Sequence, residues 1–69
     1  MNKDEVAKLQ SYLQKLFDNQ SFDVRLRPNQ KDSVEVYLKD EYIGLIYKDE
    51  DDDDISYDFQ MAILDFDLE

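Results

Sequence analysis

The chain has 69 residues with no Cys, no His, one Gly and one Pro, and a formal net charge of −10. That length bounds it to one small domain with a marginal core, and the missing Cys and His exclude disulfides, thiol chemistry and the usual zinc sites. The charge is one-sided: acids and bases balance over residues 1–48, whereas residues 49–69 hold ten acids and no base, a field that repels nucleic-acid phosphate and anionic lipid.

High charge alone would fit disorder, but four Phe, five Tyr and a regular supply of Ile, Leu and Val argue for a folded core. Val6, Leu9, Leu13, Leu16 and Phe17 fall on one face of a 3.6-residue period, with Lys8, Gln10, Ser11, Gln14 and Lys15 on the other, which predicts an amphipathic helix over about 3–18. Asn2 with Glu5 three residues on forms a capping box, and Asn19 is the expected left-handed stop. The period then switches to two. Phe22, Val24 and Leu26 alternate with Asp23, Arg25 and Arg27 before Pro28-Asn29, and Val34, Val36 and Leu38 repeat the pattern, so strands are predicted at 22–27 and 33–38 in an antiparallel hairpin.

Lys39-Asp40 makes a short connection to a third strand at 42–48, apolar on both faces. Gly44 lies inside it and marks a bulge or a close approach to the backbone. Asp49 to Asp54 reads as an acidic loop. Beyond it, Ile55, Tyr57, Phe59, Met61 and Ile63 alternate with polar or small residues, and the pattern slips by one at Leu64, Phe66 and Leu68. A strand over 55–66 with a bulge near Ile63-Leu64 is preferred to a helix, whose negative end would collect Asp65, Asp67 and Glu69 without a compensating cation. The tail is expected to bend at that bulge and cover the helix. The fold class is therefore α+β: one helix on a four-stranded, mostly antiparallel meander in the order α-β-β-β-β, a single domain over 1–69.

The acidic run is the obvious place for a hard cation. It lacks the glycine and the distal bidentate Glu of a twelve-residue calcium loop, and consecutive carboxylates diverge. Weak Ca²⁺ or Mg²⁺ binding through Asp49–Asp54 is the alternative function, and no dedicated metal site or cofactor is expected. Nucleophilic catalysis lacks its usual activating base, and a domain this small offers little concavity in which to pull a carboxylate pair apart in pKa, so no enzyme is expected. Arg25 and Arg27 share a strand face, but two cations against −10 cannot supply the counterion release of phosphate binding; pairing with Glu35 or the tail acids is expected instead. No nucleic-acid partner follows. Met1 to Glu5 does not start a basic leader, and Met61 to Leu64, the longest apolar stretch, is far short of a membrane span, so the expected setting is cytoplasmic, with no membrane partner.

Tyr37 and Tyr42 stand opposite the regular apolar sets of their strands, and Phe66 and Leu68 lie on an apolar-acidic tail. These four are the candidate interaction surface. The whole chain resembles a family of small acidic bacterial proteins of unknown function, through Glu35-Val36-Tyr37, Ile43-Gly44, the acidic run from Asp49, and above all Ser56-Tyr57-Asp58-Phe59-Gln60-Met61-Ala62-Ile63-Leu64-Asp65 with Asp67-Leu68. The resemblance implies a free-standing α+β domain of the bacterial cytoplasm and assigns no activity. The expected function is a non-catalytic protein–protein interaction module for a partner the sequence does not name. It is expected to be a monomer, with homodimerisation through the tail strand as the alternative.

Overall fold

A computed structural model describes residues 1–51 and 53–68. One helix, α1 (Lys3–Leu16), precedes four strands, β1 (Phe22–Arg27), β2 (Gln30–Leu38), β3 (Glu41–Asp51) and β4 (Asp54–Gln60), and a short 3-10 turn closes the chain at Asp65–Leu68. The strands form one antiparallel sheet in chain order, β1-β2-β3-β4. The α-β-β-β-β meander is thus the one the hydropathy pattern predicts.

The helix starts on the expected box: the Asn2 side chain accepts from the Glu5 N–H at 2.8 Å, and Glu5 accepts in return from the Asn2 N–H at 3.3 Å. It ends two residues earlier than expected. Asp18, at φ 50°, takes the left-handed position assigned to Asn19, and the Asn19 N–H returns to the Gln14 carbonyl at 2.9 Å while the Asp18 N–H returns to Lys15 at 3.3 Å. This is a Schellman stop shifted by one residue. The Asn19 side chain instead accepts from the Ser21 N–H at 2.8 Å, turning the chain into β1.

Alternation carries through the register. Val24 faces Val36, which faces Gly44; Val34 faces Ile46, which faces Phe59. With Phe22 these residues make the helix-covered face, and Leu13 is pressed against it: the buried core is Leu13, Phe22, Val24, Val34, Val36 and Ile46. Each such side chain contributes about 1.5–3 kcal/mol when fully buried. Lys39 and Asp40, both at positive φ (52° and 64°), form the two-residue β2–β3 turn, whose twist matches the flanking strands.

Two strands exceed their expected limits. β2 starts at Gln30 instead of 33, since Arg27 pairs with Gln30 directly across Pro28-Asn29. β3 runs to Asp51 instead of stopping at 48, because its ladder with β4 continues through Asp49–Ser56, Glu50–Ile55 and Asp51–Asp54. Asp49–Asp51 and Asp54 are therefore strand and not loop, since charged side chains leave backbone pairing intact; Asp53 lies in a turn, and Asp52 lies outside the described residues. β3 pairs with β2 only as far as Tyr47. Beyond that point β3 and β4 project as a two-stranded acidic arm, consistent with molecular dimensions of 43 × 24 × 23 Å.

The last strand is shorter than expected. β4 ends at Gln60, opposite Leu45, and residues 61–64 carry no regular structure. β3 holds an extra residue between Tyr42 and Leu45 relative to Tyr37 and Glu35 of β2, a bulge that interrupts the ladder β4 would have followed. The chain crosses Gly44 there: a Cβ on Gly44 would collide with the Gln60 carbonyl and lie 2.9 Å from Phe59 Cε1. The predicted bend over the helix does not occur. Instead the Asp67 carboxylate accepts from the Leu64 N–H at 3.1 Å and the Asp67 N–H donates to the Leu64 carbonyl at 2.8 Å, closing the 3-10 turn.

Candidate functional site

The two edges of the sheet are built differently. At β1 the helix packs on the strand, and its glutamines bond part of the outward main chain: the Val24 N–H donates to Gln10 Oε1 at 3.0 Å, and Gln14 Nε2 donates to the Phe22 carbonyl at 3.0 Å and to the Gln20 carbonyl at 3.2 Å. Both glutamines fall outside the apolar stripe of the sequence, so they read there as solvent-facing. Their spacing of four residues places them one above the other on a helix and matches the Phe22-to-Val24 step of an extended edge.

At β4 the edge is bare. Val24 and Phe22 point their main-chain groups away from β2, so alternation through the register directs those of Ile55, Tyr57 and Phe59 outward from β4. No described residue bonds to them. The side chains of the same three residues lie on the helix side, beside a groove of about 300 Å³ lined by Leu9, Tyr12, Leu13, Ile46, Tyr57 and Phe59. It exists because one helix is too narrow for a four-stranded sheet; α1 packs on β1 and leaves the β4 end uncovered. Tyr12, which lines the groove, and Ile55 on β4 remain largely exposed.

A polar tie fixes the root of the arm to the helix. Glu5 Oε2 receives Lys48 Nζ at 2.7 Å and the Tyr57 hydroxyl at 2.8 Å, and Lys48 also reaches Glu50 at 3.1 Å. The Lys48 and Tyr57 hydrogen bonds hold the Glu5 carboxyl down to about 2. The same bond to Glu5 raises Lys48 and Tyr57. Tyr57 is thereby fixed in orientation at the mouth of the groove.

The four residues predicted for the interaction surface separate into two groups. Tyr37 and Tyr42 meet on the open face, ring centroids 5.7 Å apart at 64°, because the β3 bulge brings Tyr42 onto the side of Tyr37. Tyr37 is locked: its hydroxyl donates to Glu35 at 3.1 Å, which raises its pKa, and Arg25 stacks 3.9 Å over its ring. Arg25 pairs with Asp23 at 2.8 Å and Asp40 at 3.1 Å, and Arg27 donates to the Ser33 hydroxyl at 2.8 Å; among the described residues the expected pairing with Glu35 or the tail acids is not made, since neighbours on their own sheet face and turn are closer. Phe66 and Leu68 stand 78% and 74% exposed on the tail. A second groove joins Tyr42, Ile43 and Leu45 to Met61, Leu64 and Asp67, without Phe66 or Leu68.

The acids of the arm point to two sides. Glu50 shares the helix side with Lys48, while Asp49 faces Ser56 on the other. Among the described residues no three His, Cys, Asp or Glu side chains group so as to hold a metal ion, and no helix is long and apolar enough to cross a membrane.

The family model for proteins of unknown function, DUF3126, matches residues 5–67, and the chain belongs to that family. No curated protein and no solved structure matches it.

Proposed function

We propose that the protein is a non-catalytic interaction module that receives another protein at the uncovered end of its sheet, along β4 and the groove beside α1. One observation carries the reading: unpaired main-chain groups and an apolar groove coincide at one edge, while side chains of the same helix engage the Phe22 carbonyl and the Val24 N–H of the opposite edge. The groups with displaced pKa, Glu5, Arg25, Tyr37, Lys48 and Tyr57, are each engaged with a neighbouring side chain, Glu5 with Lys48 and Tyr57 across elements, Arg25 with Asp23 and Tyr37 with Glu35 along a strand, which supports a structural role for them over acid–base work. The setting we infer is the cytoplasm and the state a monomer, since two −10 subunits repel.

The test is affinity capture from the native cell with the full chain and with Tyr12→Glu, a change at an exposed groove residue. A protein held by the wild type and released by the variant is expected; identical captured sets would end this reading. The rival, a protein responding to Ca²⁺ or Mg²⁺ through Asp49–Asp54, makes a different prediction: saturable amide shifts confined to the arm during cation titration. Small, unsaturated shifts are expected instead.

A further inference from the structure

We propose that β4 accepts an extended segment of its partner as an added strand, and that this segment alternates apolar residues with Lys or Arg. The inference rests on the interaction reading above and adds to it the docking mode and the chemistry of the partner.

The mode follows from β4 itself. Ile55, Tyr57 and Phe59 present N–H and C=O groups in the spacing of an unfinished antiparallel or parallel ladder, and satisfying them requires another main chain in extended form. The required side chains follow from the two faces. An added strand continues the sheet, so every second residue lies on the helix side, next to Ile55, Tyr57 and Phe59 and over the groove that reaches Tyr12 and Leu9. Apolar side chains are favoured there, with about 300 Å³ to fill. The intervening residues lie on the other face beside Asp54, Ser56, Asp58 and Gln60, at the border of the acidic arm. Basic side chains are favoured there, because opposite charges across strands attract and like charges repel.

The same rule disfavours the occupants within reach. The end of the tail, Leu64 to Leu68, alternates apolar residues with Asp65 and Asp67 and would set acids beside Asp58. A second copy pairing through its own β4 would bring two acidic arms together. The apolar-basic strand of this chain, β1 with Val24, Arg25, Leu26 and Arg27, has its Phe22 carbonyl and Val24 N–H already engaged by Gln14 and Gln10, so in another copy it would offer only part of a ladder. A basic, alternating segment of a different protein is the occupant that fits.

Titration of the full chain with three synthetic peptides tests this: an alternating Lys-Val peptide, one of the same composition with its Lys and Val in separate blocks, and an alternating Glu-Val peptide. The alternating Lys-Val peptide is expected to bind saturably and to protect the Ile55, Tyr57 and Phe59 amides from exchange with water. The blocked and acidic peptides should bind roughly tenfold or more weakly, the scale of two cross-strand pairs. Asp58→Lys, at an exposed position, should narrow or reverse the preference for Lys-Val over Glu-Val. Equal binding of the blocked peptide would reduce the effect to charge alone and overturn strand addition. Protection elsewhere, or no binding, would overturn it as well. If strand addition fails while Tyr12→Glu still releases a captured cellular protein, the interaction reading stands without it; if capture is also unchanged by Tyr12→Glu, both fall.

Discussion

β1 and β4 are both edge strands of one small sheet, yet they meet solvent in opposite conditions. β1 carries the helix on one face and the Gln10 and Gln14 side chains along its edge, whereas β4 keeps its outward main chain free and its apolar side chains half covered. An unprotected strand edge is a template for association, which proteins ordinarily blunt with charge, bulges or a covering element. Here one device is used at each end: covering at β1 and acid at β4. Acid deters a second copy of the same chain and admits a basic partner, so the device is selective where a cover would exclude every strand.

The covered end should depend on Leu13. This residue is 5% exposed in the core, whereas Leu16, on the same helical stripe, is 58% exposed. Leu13→Ala is expected to cost about 2–5 kcal/mol and Leu16→Ala under about 0.5 kcal/mol on chemical denaturation. Equal costs would mean that the helix lies across the whole sheet and that the contrast between the edges is wrong.

Gly44 holds the open end in place. A Cβ there meets the backbone carbonyl of Gln60 and the Phe59 ring, and backbone cannot yield as a flexible side chain does. Gly44→Ala should therefore cost about 1–3 kcal/mol. Hydrogen exchange gives the sharper readout: β4 amides should lose protection first, while β1 and β2 keep theirs. Uniform loss along the sheet would show that the two ends do not open separately.

How much of this was legible in the residues depends on what each pattern encodes. The capping box, the period of α1 and the alternation of β1 and β2 are local, and the elements sit where those signals put them apart from the earlier stop of α1 and the earlier start of β2. A helical stripe gives a face but not its depth of cover, so Leu13 and Leu16 looked equivalent until the structure showed Leu13 in the core and Leu16 largely exposed. Gly44 marked the β3 bulge and the close approach of Gln60, but alternation did not show that β4 would end there, and so the strand expected over 55–66 stops at Gln60. The acidic run read as a loop because charge resembles solvent exposure; side chains on a projecting arm are solvated while their backbone stays paired. The strand positions of Tyr37 and Tyr42 gave their place on the open face, but the bare edge was not read. It depends on which main-chain groups the helix reaches, and the only trace in the residues is the pair Gln10 and Gln14 at helical spacing.

That pair gives the next contrast. Gln10→Ala removes the acceptor of the Val24 N–H, and the loss should be about 0.5–1.5 kcal/mol, the worth of one hydrogen bond. The variant should also gain a β1 edge that exchanges its Val24 amide with water. If a Gln10→Ala, Gln14→Ala double variant begins to self-associate by light scattering while the wild type stays monomeric, the glutamines act as the edge guard. If exchange at Val24 does not change, the helix main body shields the edge and the glutamines are incidental.

The smallest expected effect is at the root of the arm, since ion pairs near the surface contribute little net stability. Glu5 and Lys48 are 19% and 16% exposed in their side chains, and the Glu5 carboxyl is held at about 2 against an ordinary 4.5. A carboxyl whose folded pKa lies below its unfolded one adds stability that is complete above the unfolded value and disappears as pH falls through the folded one. The tie should thus hold at neutral pH, weaken between about 4.5 and 2, and be gone below. Glu5→Gln keeps the shape and can still cap the helix, but removes the titration. The wild type should lose its advantage over Glu5→Gln across that pH window in paired denaturation curves. Tyr57 ring signals should broaden over the same range, since its hydroxyl loses its fixed acceptor and the groove loses one wall. A constant difference between the two proteins from neutral pH to below 2 would mean that Glu5 acts through shape alone and that the groove is held open by packing.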